Sequence, residues 1–265
     1  MKILFAGDVF GRPGRTVLEK SLPALRAEFG PFDFTIVNCE NAAAGFGMTE
    51  RIMNDLLSFG VDVMTSGNHI WDKKEFVRVL DEDPRILRPA NYPPAAPGRG
   101  WGVFEKNGKR LMVANLQGRA FMPDIDCPFR AADEILASQA DQGPVAAFVD
   151  FHAEATAEKL ALARYLDGRI SALAGTHTHV QTADETILPR GTAFITDVGM
   201  TGGHGGIIGM TFDSVIPKFL LSVPTKFEVD ESDVRLQGAS IEIDDETGRA
   251  LDIRRIDMPY ERFVD

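Results

Sequence analysis

The chain has 265 residues, of which 44% are hydrophobic and 25% are charged, a composition typical of a globular protein. Its net charge of −11 argues against a general nucleic-acid binder, which usually presents a basic surface, so we expect no stable nucleic-acid partner. Two cysteines cannot build a disulfide framework, and no apolar run is long enough for a signal peptide or a membrane span. We therefore expect a cytoplasmic protein with reduced thiols and no membrane partner, and we interpret residues 1–265 as a single domain.

Short apolar runs alternate with helix-like segments along most of the chain. The predicted strands cover residues 2–7, 34–38, 61–67, 110–116, 145–151, 170–175 and 193–199. The predicted helices cover residues 16–29, 49–59, 73–80, 129–140 and 155–166, with Thr49 and Thr156 as N-caps. This alternation indicates an α/β fold with a largely parallel core sheet.

Two segments depart from the alternation. Residues 84–97 contain five prolines and are predicted to form an irregular surface loop. Residues 240–256 read as two alternating strands around a turn, which predicts an antiparallel hairpin that adds to a sheet.

Polar side chains follow five of the predicted strands, at the point where each strand ends. They are Asp8, Glu40, Asn41, Asn68, His69, His152, His177 and His179. Ligands of open α/β sheets bind at the carboxyl ends of the strands, so we expect these side chains to converge on one crevice. Each alone has a plainer interpretation, as a turn former or a buried structural histidine, and the repeated placement carries the argument.

The residue types indicate a metal centre. Carboxylate, amide and imidazole ligands suit Mn, Fe or Zn better than Ca, and the absence of cysteine from the set argues against a structural zinc site. Eight groups exceed the needs of one ion. Two ions that share a carboxylate would use them, and such pairs, ~3.5–4 Å apart, clamp the attacking and leaving oxygens of a phosphoryl displacement.

The motifs resemble the calcineurin-like metallophosphoesterases, and most closely their YmdB-like branch. They are "FAGDVFGRPGR", "NCENAA", "SGNHIWD", "RPANYP", "DFHAE", "GTHTHVQTADE" and "ITDVGMTGG", which together span most of the chain. The resemblance implies a sandwich of mixed sheets flanked by helices. Phe10 stands where the broad family has a histidine ligand, and Glu40 replaces its bridging aspartate. Asn41 is then a candidate for the vacated ligand position.

The resemblance also implies roles for the polar residues. The first ion would be held by Asp8, Glu40, Asn41 and His179. The second would be held by Glu40, Asn68, His152 and His177, so that Glu40 bridges. Fe or Mn fits the set best, with Zn as an alternative. A metal-bridging hydroxide would attack phosphorus, and His69 would protonate the leaving oxygen.

Other residues are candidates for substrate contact. Arg12 and Arg15 are candidates for a substrate phosphate and His204 for contact with the substrate, and each is also explained as a solvated or loop side chain. Phe46 and Trp71 are candidates for stacking on a base, although aromatic side chains more often pack in a core. Cys39 is interpreted as part of strand packing rather than as a nucleophile.

These observations predict a metal-dependent phosphodiesterase acting on small phosphodiesters, with cyclic nucleotides such as 2′,3′-cyclic AMP suggested by the resemblance. A phosphomonoesterase using the same dinuclear centre is the close alternative. A regulatory metal- or nucleotide-binding protein with little turnover is an alternative of a different class. Homo-oligomer formation is left open.

Overall fold

The computed structural model describes residues 1–139 and 146–263. Its strands are β1 (Lys2–Ala6), β2 (Asp8–Val9), β3 (Phe34–Asn38), β4 (Val63–Thr65), β5 (Trp101–Lys106), β6 (Lys109–Gln117), β7 (Ala146–His152), β8 (Ala172–Thr176), β9 (Thr186–Ile187), β10 (Ala193–Ile195), β11 (Met200–Gly203), β12 (Val234–Ile243) and β13 (Ala250–Pro259). Its α-helices are α1 (Gly11–Phe29), α2 (Glu50–Ser58), α3 (Val77–Glu82), α4 (Pro128–Ser138), α5 (Thr156–Leu166) and α6 (Phe212–Leu221). Short 3₁₀ helices cover Asn68–Trp71, Lys74–Phe76 and Tyr260–Phe263.

The strands form two mixed sheets. The first has the order β2-β11-β12-β1-β3-β4, with β13 also paired to β12, and the second has the order β5-β6-β7-β8-β10-β9. Parallel pairing joins β1, β3 and β4 in the first sheet and β6, β7, β8 and β10 in the second. The predicted sandwich of mixed sheets is confirmed, and in each sheet antiparallel partners lie beside the largely parallel centre that the alternation predicted. The C-terminal hairpin is confirmed as β12 and β13, and β12 pairs antiparallel with β1.

The two sheets pack face to face, with helices on their outer faces. Because side chains alternate along a strand, Ile3 and Phe5 of β1 point into the space between the sheets. Leu4 belongs instead to the core on the α1 side. The Phe5 ring meets Phe148 of the second sheet, with ring centroids 4.8 Å apart. A strand covered on both faces reads as a continuous apolar run, which is why β1 was recognisable in the sequence.

Helix starts differ from the prediction at two points. Helix α1 begins at Gly11 rather than at residue 16, because Gly11 adopts a φ of 58° and Pro13 is tolerated in a first turn. Thr49 caps α2 as predicted and accepts a backbone N–H hydrogen bond of 3.3 Å. The prediction for Thr156 is wrong, because Ala155 has the extended N-cap backbone and Thr156 is the first helical residue.

Other element boundaries also move. The predicted helix over 73–80 is a 3₁₀ turn followed by α3, and the one over 129–140 corresponds to α4, with residue 140 outside the described residues. The strand predicted over 145–151 is β7, and residue 145 likewise lies outside them. The predicted strand over 193–199 ends at Ile195, because the Asp197 carboxylate accepts the Gly199 N–H at 2.8 Å and the chain turns away. Of the strand predicted over residues 61–67, only Val63–Thr65 forms a strand, which is β4.

The proline-rich loop over 84–97 is irregular, as predicted, but part of it is buried. Ile86 and Leu87 are inaccessible to solvent, and each forms an isolated β-bridge, to Met64 and to Arg99. The guanidinium of Arg88 donates hydrogen bonds to backbone carbonyls within the same loop. The loop is therefore a packed element and not a purely surface one. None of the helices among the described residues has the length and apolar character needed to cross a membrane.

Candidate active site

The polar residues at the strand ends converge as predicted, and both sheets contribute. The first sheet and the loops that follow its strands supply Asp8, Glu40, Asn41, Asn68 and His69. The second sheet and the loop after β8 supply His152, His177 and His179. A cavity of about 420 Å³ lies over them, lined in part by Glu40, His69 and His177. The crevice is thus at the shared carboxyl edge of the two sheets.

Two groups of side chains in this crevice are arranged as potential metal ligands. One group is Glu40, His152 and His177, and the other is Asp8, Glu40 and His179. Within each group the ligand atoms all lie within 4.8 Å of one another. Glu40 belongs to both, as a bridging ligand would.

Buried oxygens without partners also point to cations. Asp8 Oδ1, Asn41 Oδ1 and Asn68 Oδ1 are buried and have no hydrogen-bond partner among the described residues, which costs ~1–3 kcal/mol for each unsatisfied group. A Cβ atom on Gly67 would lie 2.2 Å from the Nε2 atom of His152 and 2.4 Å from the Oε2 atom of Glu40, so only glycine fits beside them. Oxygen and imidazole donors around such a space fit divalent transition-metal ions.

The buried carboxylates and imidazoles of the site shift one another's pKa values. Burial alone would raise the pKa of Glu40 and lower that of His152, but the contact of 3.1 Å between them outweighs burial. The pKa of Glu40 falls to about 2 and that of His152 rises to about 9. Burial and the adjacent His152 lower the pKa of His177 to about 3, so His177 is neutral. The Nδ1 atom of His177 lies 3.0 Å from the Nε2 atom of His152. Burial raises the pKa of Asp8.

A buried hydrogen-bond chain orients His152. Its Nδ1–H donates to the Thr176 hydroxyl at 2.9 Å, and that hydroxyl donates to Asp150 Oδ1 at 2.7 Å. Asp150 also accepts from the Asn38 amide at 2.9 Å, and burial raises its pKa to about 6. This series of hydrogen bonds leaves the Nε2 atom of His152 facing Glu40. Sequence reasoning missed Asp150, although a carboxylate inside an apolar strand, two residues before His152 and on the same face, was a usable signal.

The turn that carries the other two histidines is held by a buried ion pair. His177 and His179 have φ values of 99° and 63°, in the left-handed region that non-glycine residues seldom adopt. Between them, Thr178 donates to Asp197 Oδ2 from its backbone N–H at 3.2 Å and from its hydroxyl at 2.8 Å. Lys159 of α5 lies 2.7 Å from the same oxygen, and both side chains of the pair are 1% exposed. No sequence signal identified Lys159.

Phe10, which departs from the broad family's pattern, packs beside the ligand groups. Its ring meets His179 edge-on, with centroids 5.5 Å apart. The His179 Nδ1–H donates to the Ile208 carbonyl at 3.0 Å, which leaves Nε2 3.7 Å from Asp8 Oδ2. The Asn41 amide nitrogen donates a 2.9 Å hydrogen bond to the Gly45 carbonyl, and its Oδ1 atom has no partner within the part of the chain that the structure describes.

His69 lines the cavity beside the ligand groups. Its backbone N–H donates to Glu40 Oε2 at 3.1 Å, which fixes the residue next to Glu40. Its ring Nδ1 pairs with the Asp72 carboxylate at 2.7 Å, so Nε2 is the nitrogen left for other partners. The Phe46 ring meets the imidazole edge-on at 5.1 Å. Sequence reasoning missed Asp72, which lies three residues after His69.

The weaker substrate-contact candidates do not line this cavity. Arg12 and Arg15 line a separate groove together with Lys73. His204 Nε2 lies 3.1 Å from the Met200 carbonyl, and burial lowers the pKa of this imidazole.

The two aromatic candidates lie in different places. Phe46 lines the cavity, whereas Trp71 packs edge-on against Tyr92 at 5.3 Å. Cys39 is buried, as expected from strand packing; its thiol donates to the Thr65 carbonyl at 3.2 Å, and burial raises its pKa.

A side of the cavity that sequence reasoning missed is apolar. It comes from residues 207–227 and includes Ile208, Phe219 of α6 and Phe227. No element was predicted for this segment, although its apolar residues at 212, 215, 216, 219 and 220 have helical spacing.

Known proteins resemble this chain over nearly its whole length. A family described as "YmdB-like protein" matches residues 4–256. The chain belongs to the YmdB-like family. It is 52% identical, over 97% of its length and 96% of the relative's, to a Bacillus subtilis protein named 2′,3′-cyclic-nucleotide 2′-phosphodiesterase.

Two solved structures have the same fold as this YmdB-like chain. A Thermus thermophilus protein described only as hypothetical is 42% identical, with a TM-score of 0.90 over 98% of this chain and 99% of its own. A Mycoplasma pneumoniae protein described as a novel phosphatase is 33% identical, with a TM-score of 0.91 over 99% and 96%. The expected class of reaction, metal-dependent hydrolysis of a phosphoric ester, agrees with these names.

Proposed function

We propose that the chain is a phosphodiesterase that hydrolyses small phosphodiesters, with 2′,3′-cyclic nucleotides as its substrates. The observation that carries the proposal is the position of Glu40, which is shared by two groups of potential metal ligands at the base of an open cavity. The name of the Bacillus subtilis relative supports the substrate class.

The ligand sets follow from the groups and from the unpartnered oxygens. One ion would be held by Asp8, Glu40, Asn41 and His179, and the other by Glu40, Asn68, His152 and His177. Imidazole and oxygen donors without thiolate favour Fe or Mn, with Zn as the alternative. When bound, such ions make a coordinated water more acidic and stabilise negative charge on the phosphate oxygens.

His69 acts on the leaving group. Its Nδ1–H donates to Asp72, so His69 acts as an imidazolium that gives the Nε2 proton to the departing sugar oxygen and is left as the neutral ring. Asp72 and the bond from the His69 backbone to Glu40 hold the ring beside the site and act as positioning contacts.

The charge of the cavity favours a diester over a monoester. Among the described residues that line it, Lys218 is the only lysine or arginine, and Glu154 adds a carboxylate 3.2 Å from His177 Nε2. A monoester carries an additional negative charge, which extra cationic side chains would have to meet. A singly charged diester needs no such groups.

The test is a comparison of initial rates. Metal-stripped protein is reloaded with Mn²⁺, Fe²⁺ or Zn²⁺ and given 2′,3′-cyclic AMP or, separately, p-nitrophenyl phosphate. We expect hydrolysis only with metal, and a kcat/KM at least about tenfold higher for the cyclic diester, a difference of ~1.4 kcal/mol. Preference for the monoester would replace this proposal with a phosphatase. Turnover by the stripped protein would contradict the metal site.

A further inference from the structure

The cavity has a second half that the metal chemistry does not use. We call it the apolar wall and define it by Phe46, Ile208, Phe219 and Phe227. Ile208 is 55% exposed and Phe219 is 71% exposed, so folding gains little from either side chain. Neighbouring exposed apolar side chains in a cavity mark a site that is covered by a ligand.

The apolar wall is continuous with the ligand groups. The Phe46 ring centroid lies 5.1 Å from that of His69. The Ile208 carbonyl accepts a hydrogen bond of 3.0 Å from His179. A cavity of about 420 Å³ holds a small ligand of nucleotide size. A molecule with its phosphate at Glu40 therefore extends its remaining part along the apolar wall.

We propose that the apolar wall binds the base of the substrate by stacking and apolar contact, and that it selects bases by size rather than by their hydrogen-bonding edges. This inference rests on the proposed function, because it assumes that the scissile phosphate belongs to a nucleotide. Flat aromatic bases are the part of a nucleotide that apolar and aromatic side chains bind, since every base has a π-face.

The side chains of the apolar wall offer few hydrogen-bonding groups that could distinguish adenine from guanine. Lys218 is the polar side chain at the Phe227 end of the wall, where its ammonium lies 5.2 Å from the centroid of the Phe227 ring, and His69 meets Phe46 at the end that faces the ligand groups. Lysine offers donors only, and adenine and guanine both present an N7 acceptor. Purines should therefore be favoured over pyrimidines by their larger face, with adenine and guanine nearly equal.

The experiment compares substrates that share the scissile group. They are the 2′,3′-cyclic phosphates of adenosine, guanosine, cytidine and uridine, and of methyl riboside, which has no base. We expect the base-free diester to have a KM higher by about tenfold or more, with purines best. In Phe219→Ala the KM for adenosine 2′,3′-cyclic phosphate should rise about fivefold or more, with little change for the base-free diester.

Leu220→Ala is the matched control. Leu220 is the next residue of α6, is 74% exposed and does not line the cavity. It should behave as the wild type with every substrate. Equal kcat/KM with and without a base would overturn the inference, and so would equal effects of Phe219→Ala and Leu220→Ala. A tenfold or greater preference between adenosine and guanosine would overturn the selection by size.

Calorimetry separates this inference from the proposed function. The metal-loaded protein is titrated with adenosine 3′-monophosphate and with ribose 3-phosphate. If no cyclic phosphate is hydrolysed, the proposed function fails. Tighter binding of the adenosine compound, lost in Phe219→Ala, would still support the apolar wall as a base site, and equal binding of the two compounds would reject it.

Discussion

The two halves of the cavity are built in opposite ways. In the polar half, Asp8, Glu40 and His152 are at most 1% exposed, and buried partners fix their side chains. In the apolar half, Phe219 is 71% exposed, and most of that half comes from one segment between β11 and β12. The polar half therefore belongs to the folded core, whereas the apolar half is an addition to its rim. Chemistry and substrate selection are thus placed on parts of the chain with different roles in stability.

The largest effect is expected at Glu40. Glu40→Gln removes the charge shared by both ligand groups, and we expect kcat/KM to fall by about 10³-fold or more, since metal ions contribute several kcal/mol. Bound metal, measured by elemental analysis, should fall with it. Glu40→Asp keeps the charge and should retain more metal. Full activity in Glu40→Gln would remove the basis of the proposed metal centre.

Replacing His69 should stop turnover without emptying the site. His69→Gln is expected to lower kcat by about 10²–10⁴-fold, because it removes the proton donor. Metal content, measured in the same samples, should stay at the wild-type level, since His69 is absent from both ligand groups. An unchanged kcat would instead favour the alternative of a regulatory binding protein.

The ion pair beneath the histidine turn should matter for folding. Lys159→Met leaves Asp197 buried without its partner, and we expect the free energy of unfolding to fall by about 3–5 kcal/mol. Urea denaturation measures it. The double variant Lys159→Met/Asp197→Asn removes both charges and should regain part of the loss. A loss of less than about 1 kcal/mol in the single variant would show that the pair behaves as a surface salt bridge.

The polar half should also make stability depend on pH when metal is removed. The pKa of His152 is about 9 in the folded protein, against about 6.5 unfolded, so its contribution is complete below pH 6.5 and is lost as pH rises through 9. The loss amounts to ~3 kcal/mol. This contribution is measured as the difference in the free energy of unfolding between the metal-stripped wild type and the metal-stripped His152→Asn variant. That difference should shrink between pH 6.5 and pH 9; a constant difference would contradict the ion pair with Glu40.

The smallest effect is expected in the apolar half. Phe219→Ala should change the free energy of unfolding by less than about 0.5 kcal/mol, because the ring is largely exposed. Phe148→Ala, in the core between the sheets, should cost about 3–5 kcal/mol. Denaturation of the two variants side by side tests the contrast. A loss above about 2 kcal/mol for Phe219→Ala would mean that the apolar half is part of the core.

The polar and apolar halves of the cavity also differ in how well the sequence predicted them. The polar half follows from a general rule, because polar residues after apolar strands meet at one edge of a sheet. Asp150 had a usable signal as a carboxylate inside an apolar strand, whereas Lys159 was missed because only the folded chain shows that its charge is buried and paired. The strands that became β4 and β10 were predicted too long, and after β10 the Gly199 N–H donates to the Asp197 carboxylate instead of to a neighbouring strand.

The apolar half was not predictable by the same reasoning. Helix α6 leaves Phe219 and Leu220 exposed, so its pattern does not separate a buried face from a solvated one. Pro217 within the helix weakens the helical signal further. The fold was predicted more closely, because the apolar runs indicated the central strands and the resemblance implied the sandwich of mixed sheets that the structure has.

The construction of the site from two sheets has a thermodynamic consequence for metal binding. Asp8 and Glu40 come from the first sheet and the loop after β3, whereas His152 and His179 come from the second sheet and the loop after β8, so ions held among them would act as cross-links between the two leaves of the sandwich. Binding energy of this kind stabilises only the species in which both leaves are folded and docked. Metal occupancy would therefore report the assembly of the whole sandwich, since either leaf alone carries only part of each coordination sphere.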